Sequence, residues 1–168
     1  MRIAIRWGVI LGLAICVWTM GLHVLGFYTV RLSMGQVADV VATILPIAAI
    51  VLALRARRRE SRRGLRFLES AQTGVVIGLV SGPISGAFLW FYHHHVNPQW
   101  LDRLVAWKTT TMQAAGATPE TIALTVDGLR AGGTDLAQIV GALVGSVIFS
   151  LLIAMIAHLY FRRPVGRA

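Results

Sequence analysis

A run of three histidines is the feature of this sequence best suited to chemistry. His93, His94 and His95 follow one another at the end of an apolar segment. Adjacent residues of a regular helix point about 100° apart, so one metal ion would meet at most two of these rings. Imidazole with carboxylate suits zinc, copper or nickel, and the remaining ligand would be His23, Asp39 or Asp102. The alternative is a structural run of histidines at a membrane interface.

Asp39 is the second candidate for chemistry, because it lies at the start of an apolar segment. An ionisable group inside a membrane is costly, and it indicates function by default. With His23 it would form a proton or cation site. The alternative places Asp39 at the headgroup level, where a carboxylate simply favours a helix N-terminus.

Catalytic signatures are missing from the sequence. It contains no phosphate-binding glycine loop, zinc-protease helix or nucleophile elbow. Ser81 and Ser85 have no base at helical spacing, and the single cysteine, Cys16, excludes an intrachain disulfide. We therefore expect neither an enzyme nor a cofactor.

The composition is that of a chain solvated by lipid. Of the 168 residues, 56% are hydrophobic and 14% charged, and the mean hydropathy is +0.69. Soluble domains average about 25% charged residues. A membrane span needs roughly 20 apolar residues, and four runs approach this length, at about 7–27, 37–54, 71–92 and 136–160. The sequence predicts one all-α membrane domain, residues 1–168, built as a four-transmembrane-helix bundle in which Pro46 kinks the second span.

Glycines at four-residue spacing predict where these spans pack. A four-residue step keeps side chains on one helix face, and small residues there let two membrane helices approach closely. The third span carries Gly74, Gly78, Gly82 and Gly86, and the fourth carries Gly141 and Gly145. We expect these two glycine faces to contact each other.

Basic residues set the predicted orientation. The net charge is +9, and seven arginines stand between spans two and three: Arg55, Arg57, Arg58, Arg59, Arg62, Arg63 and Arg66. With both termini on the same side as this stretch, that side has twelve basic residues against four. The positive-inside rule then places both termini and the arginine loop in the cytoplasm. There the arginines would contact anionic lipid, and nucleic acid is not expected as a partner.

The region at about 97–132 is predicted to lie outside the membrane. Asn97-Pro98 and Thr118-Pro119 are typical helix starts, and Gly116 and Gly132 are typical stops. Two helices are therefore expected between spans three and four, as a small cap on the bundle or on the outer membrane surface.

Several short motifs lie along the spans: Arg6-Trp7-Gly8 at the first span, and Gly64, Phe67 and Gly74 before and in the third. The clearest is Trp90-Phe91-Tyr92 followed by Val96-Asn97-Pro98-Gln99-Trp100-Leu101. In these motifs the chain resembles the bacterial membrane family catalogued as domain of unknown function 4199. The resemblance implies a four-span bacterial inner-membrane protein and no assigned activity. The histidine run departs from the pattern, in which aromatic residues or lysine are commoner.

Three functions remain open at this level. The first is a non-enzymatic protein acting through helix packing, as a homo-oligomer or a subunit of a larger membrane complex. The second is a small transporter or channel for a proton, cation or metal ion. The third is a sensor of a metal or ligand at the outer surface.

Overall fold

The fold is helical throughout the part of the chain that the structure describes. A computed structural model describes residues 1–29, 31–61 and 64–161, and these residues contain no strand. A π-helical segment, Tyr92–Val96, continues the fourth helix. The α-helices are α1 (Arg2–Val24), α2 (Leu32–Ala42), α3 (Ile44–Ser61), α4 (Phe67–Phe91), α5 (Trp100–Ala114), α6 (Pro119–Gly132) and α7 (Asp135–Phe161).

Four helical stretches are long and apolar enough to cross a membrane: Arg2–Val24, Leu32–Glu60, Phe67–Val96 and Asp135–Phe161. The prediction of an all-α protein with four membrane-length helices is therefore confirmed. Three of these stretches extend beyond both ends of the apolar runs predicted for them, whereas Arg2–Val24 begins five residues before its run and ends three residues short of its end. The extensions contain both apolar and polar residues, and both kinds can continue a helix.

The second span is broken into α2 and α3. Thr43 ends α2, and its backbone N–H and hydroxyl both donate to the carbonyl of Val40, at 3.1 and 2.7 Å. Pro46 has no N–H, so the carbonyl of Ala42 cannot receive the bond that a continuous helix would give it. The kink predicted at Pro46 is thus a break between two helices, and it lies at Thr43, three residues before the proline.

The arginines are not confined to a loop, as the sequence had suggested. Helix α3 continues to Ser61, so Arg55, Arg57, Arg58 and Arg59 lie on its last turns. Cations at a helix C-terminus are stabilised by the helix dipole. Arg66 directly precedes α4, where its N–H donates to Glu69 Oε2 at 2.9 Å. Arg62 and Arg63 lie outside the described residues.

The tightest contact in the bundle is between α4 and α7. A Cβ added at Gly78 would lie 2.5 Å from Val147 Cα and 2.7 Å from the carbonyl oxygen of Ser146, so only glycine fits. Ser146 Oγ donates to the Gly78 carbonyl at 2.8 Å. All four glycines of the third span meet α7 at a ladder of small residues: Ala142, Ser146, Ser150 and Ala154.

Gly141 and Gly145 do not take part in this contact. Among the described residues, no heavy atom beyond the adjoining backbone of α7 itself lies within 4 Å of a Cβ built on either glycine, so the predicted meeting of the two glycine faces is wrong. The small residues that do meet α4 start one position later, at Ala142. Neighbouring positions of a helix differ by about 100°, and this offset turns Gly141 and Gly145 away from α4.

Helix α4 also packs closely on α1, through a glycine step that the sequence analysis missed. A Cβ on Gly8 would lie 2.7 Å from Val80 Cβ, and one on Gly12 would lie 2.9 Å from Ile84 Cβ. Helix α4 is therefore the central helix, with α1 and α7 beside it. Toward the arginine-bearing end, the space between helices is filled by an apolar core that includes Leu11, Ile50, Leu54, Ile77 and Ala154.

Arg57 connects α3 to α4 at this end. Its half-buried Nη1 donates to the carbonyl of Glu69 at 3.0 Å and to Thr73 Oγ1 at 2.6 Å. We expect Arg57→Ala to lower the free energy of unfolding by about 1.5 kcal/mol, because hydrogen bonds to charged groups contribute about 1.5–3 kcal/mol. Unfolding in mixed micelles measures this change. Arg55→Ala, at an exposed arginine of the same helix, is the control, and an equal loss in both variants would contradict the assignment.

The two helices expected between spans three and four are present as α5 and α6. They pack on each other, and neither contains a buried residue. Helix α6 begins at Pro119, and the side chain of Thr118 accepts from the N–H of Thr121 at 3.3 Å. Helix α5 begins at Trp100, two residues after the expected Pro98.

Candidate functional site

Polar side chains from distant parts of the sequence meet at the end of α1 that is remote from the arginines of α3. His23 Nδ1 lies 2.8 Å from the hydroxyl of Tyr92. The hydroxyl of Tyr28 donates to Asp39 Oδ1. The rings of Tyr28 and Tyr92 are 6.5 Å apart, edge to face. The structure thus brings the predicted residues His23 and Asp39 to one place, each bonded to a tyrosine.

Asn97 joins these two tyrosines. It is 3% exposed, and its side-chain amide donates to the carbonyl of Tyr28 and to the hydroxyl of Tyr92, each at 3.4 Å. Arg103 of α5 donates to Asn97 Oδ1 at 3.1 Å. The sequence predicted Asn97 as a helix N-cap. Instead it ends the π-helical segment and connects it to the loop after α1 and to α5.

A cavity of about 420 Å³ opens beside this network. We call it the aromatic cavity, because rings from four parts of the chain form much of its wall. No lysine or arginine is among its described lining residues, and Asp39 supplies its carboxylate. The lining residues are Ile15, Trp18, Thr19, Tyr28, Leu32, Gly35, Asp39, Ala42, Leu45, Leu89, Tyr92, His93, Asn97, Trp100 and Leu104.

The electrostatics of the aromatic cavity favour positive charge. Burial, reinforced by the hydrogen bond to Asp39, raises the pKa of the Tyr28 phenol well above its ordinary value, so this tyrosine remains a neutral donor. Helix α3 begins at Ile44, two residues after the end of α2, so the opposite partial charges of the two helix ends offset each other at this break. Asp39 is therefore the group that favours positive charge in the cavity.

The histidine run lies on the π-helical segment, and its three rings have different partners. His93 Nδ1 bonds the side-chain oxygen of Gln138, and its ring stacks on Trp100 with centroids 4.1 Å apart. His94 Nδ1 donates to the carbonyl of Trp90 at 2.9 Å, and its Nε2 lies 3.4 Å from Asp135. His95 Nδ1 lies 3.2 Å from the carbonyl of Phe91. Only His93 lines the aromatic cavity.

The described residues do not provide the metal site considered from the sequence. No three His, Cys, Asp or Glu side chains among them come close enough to hold one ion. His23 and Asp39 bond tyrosines instead, and Asp102 is exposed in the first turn of α5, where a carboxylate favours the helix N-terminus. The hypothesis that two of the three histidines and one of these residues bind a metal ion together is therefore wrong for the described residues.

The sequence analysis missed the aromatic members of the site and Gln138. Tyr92 and Trp100 were named there only as parts of the family resemblance, with no role in a site. The sequence carried no signal for them, because the π-helical segment, a type frequent at functional sites, is visible only in the structure. Its five residues, Tyr92–Val96, include both the buried tyrosine and the histidine run.

The fold and the site define an all-helical protein with four helices of membrane-spanning length and a cavity at one end of the bundle. Over residues 6–163 the chain matches the family described as "Protein of unknown function (DUF4199)", and it belongs to that family. Among curated proteins no significant match is found. Among solved structures none is found either.

Proposed function

We propose that this membrane protein is non-enzymatic and binds a small organic cation in the aromatic cavity. The observation that carries the proposal is a carboxylate, Asp39, among the rings of Trp18, Tyr28, Tyr92 and Trp100 in a single cavity. Aromatic faces attract cations by about 0.5–2 kcal/mol each, and they recognise ammonium groups in particular. A volume of about 420 Å³ lies within the range of small-molecule sites.

The orientation we propose places this cavity on the outer side of a bacterial inner membrane. The support is the excess of basic residues, twelve against four, on the side that would hold both termini. The arginines of α3 would then contact anionic lipid of the cytoplasmic leaflet. This orientation can be checked by treating intact cells that carry Thr118→Cys with a membrane-impermeant maleimide. We expect the cysteine to be labelled in intact cells, and labelling only after lysis would indicate the opposite orientation.

Binding can be measured with a charged probe and its neutral counterpart. We expect choline to bind the purified protein with a Kd of about 1 mM or tighter. Its carbon isostere, 3,3-dimethyl-1-butanol, has the same shape without the charge, and we expect it to bind at least about tenfold more weakly. Calorimetric titration in a non-ionic detergent measures both. Equal affinities would contradict a cation site, and no binding of either probe would remove the proposal.

Cation transport is a second candidate, and the break in span two favours it. Broken membrane helices beside a cavity often hold ions in transporters, and Ala42 at this break lines the aromatic cavity. The apolar core between the cavity and the arginine-bearing end supports binding over conduction in this conformation. Reconstituted liposomes provide the test. Choline or proton flux no greater than in empty liposomes would exclude transport.

Self-association is the other candidate retained from the sequence. The glycine ladder of α4 is occupied by α7, whereas the face of α7 with Gly141 and Gly145 is open in the described structure. That open face would allow close approach of a second copy or of another membrane subunit. We expect Gly145→Cys in a Cys16→Ser background to form disulfide-linked dimers in membranes. Monomer alone, with Gly21→Cys as the control position, would argue against a homodimer through α7.

A further inference from the structure

A second, apolar space adjoins the aromatic cavity. We call it the α1–α2 groove. It measures about 800 Å³ and lies between α1 and α2, with walls that include Leu13, Val17, Leu25, Phe27 and Val41. Several of these side chains are on the outer surface of the bundle, and Val17 is 73% exposed. In a bilayer such a surface faces the hydrocarbon chains of lipid.

The groove and the cavity meet at Trp18 and Leu45, which line both. The N–H of the Trp18 indole is buried and has no hydrogen-bond partner among the described residues. Buried tryptophan N–H groups usually have an acceptor. This N–H is shielded from both spaces, so Trp18 contributes ring surface to their junction rather than a hydrogen bond.

The two spaces together have the polarity of an amphiphile. The aromatic cavity offers a carboxylate and aromatic faces for a positive head, and the groove offers only apolar walls beyond Trp18. Along α1 the groove extends from Trp18, where it meets the cavity, to Ile10. At 1.5 Å per residue this is about 12 Å, a little under half of the roughly 30 Å hydrocarbon core.

We infer that the natural ligand is a membrane lipid with an ammonium head group, its head in the aromatic cavity and one hydrocarbon chain in the α1–α2 groove. This inference rests on the proposed function and extends it. The negative charge of Asp39 is complementary to an ammonium head group. The cavity continues into the apolar groove at Trp18 and Leu45, which favours a ligand with a hydrocarbon chain attached to that head.

Three probes separate the contributions of head and chain: choline has the head, decanol has the chain, and decyltrimethylammonium has both. Each buried methylene strengthens binding about fourfold, so we expect decyltrimethylammonium to bind at least about 100-fold more tightly than choline. Decanol should bind more weakly than decyltrimethylammonium, and Asp39→Asn should not affect it. If decanol binds as tightly as decyltrimethylammonium, the head is not recognised and the inference fails.

Gly21→Leu tests the groove without disturbing the cavity. Gly21 lines the groove, and no heavy atom lies within 4 Å of a Cβ built on it, so a larger side chain fills the space without a clash. We expect this variant to lose at least about tenfold in affinity for decyltrimethylammonium while choline affinity is unchanged. Gly128→Leu is the matched control, because Gly128 is another helical glycine with open space and lines neither the cavity nor the groove, and this variant should bind as the native protein does. Val17→Trp repeats the test if Gly21→Leu does not fold.

The outcomes distinguish the two proposals. If choline binds through Asp39 but the hydrocarbon chain adds no affinity, the lipid inference fails and the cation site stands. The same holds if the affinity gained from the chain is unchanged in the groove variant. If choline does not bind, both fail. Mass spectrometry of protein purified from native membranes identifies the source of the ligand. We expect an ammonium-headed lipid to be enriched over the bulk membrane and lost in Gly21→Leu, and absence of enrichment would overturn a membrane-lipid source.

Discussion

Gly78→Ala is expected to destabilise the protein by about 3 kcal/mol, at the upper end of the usual range for overpacking. The added methyl group would stand 2.5 Å from Val147 Cα and 2.7 Å from the Ser146 carbonyl oxygen. Both are backbone atoms, so no side-chain rotation relieves the contact. Separating α4 from α7 would also lengthen the hydrogen bond from Ser146 Oγ to the Gly78 carbonyl, now 2.8 Å.

Gly145→Ala is the matched control for this change. It makes the same substitution in another long apolar helix, at a position where no atom lies within 4 Å of the new Cβ. We expect no loss of stability, since alanine favours helix over glycine by about 1 kcal/mol. Unfolding of both variants in mixed micelles gives the comparison. Similar stabilities would mean that close contact between α4 and α7 does not hold the bundle together.

Asp39→Asn is expected to weaken choline binding about 30-fold, or about 2 kcal/mol. The substitution retains the size of the side chain and removes its negative charge. Two unit charges 4 Å apart near a protein surface attract by about 4 kcal/mol, and the cost of desolvating the carboxylate offsets part of this. The aromatic rings remain, so some affinity should survive.

Asp102→Asn provides the control for general charge effects. Asp102 is exposed on α5 and does not line the aromatic cavity, so its neutralisation should change choline affinity less than twofold. The neutral isostere of choline should bind native protein and Asp39→Asn alike. A choline affinity that is unaffected by Asp39→Asn would place the cation elsewhere.

The sequence predicts the membrane helices well because their signal is local. About 20 apolar residues are enough to identify a span, and a four-residue glycine step is enough to identify a contact face on α4. The partner face is not local information. Gly141 with Gly145 and Ala142 with Ser146 both have four-residue spacing, and only three-dimensional packing decides which pair meets α4.

The candidate site was predictable only in part. His23 and Asp39 were identifiable because ionisable groups are costly in a membrane segment. Their partners Tyr92 and Tyr28 resemble ordinary interfacial aromatic residues. They join the site only because the fold brings distant parts of the sequence together. The π-helical segment also changes which side chains face the bundle, so regular helical geometry could not assign the three histidines.

The unequal packing of the helices determines where the bundle can open. Helix α4 is held along its length by α1 and α7, whereas α2 packs mainly, and far less extensively, on α1 and α3. Segments with few packed contacts open at low free-energy cost, and they exchange backbone amide hydrogens fastest. Asp39 is on α2, so the carboxylate of the site belongs to a loosely held wall of the cavity. An occupied site would therefore slow amide exchange in α2 and leave α4 unchanged.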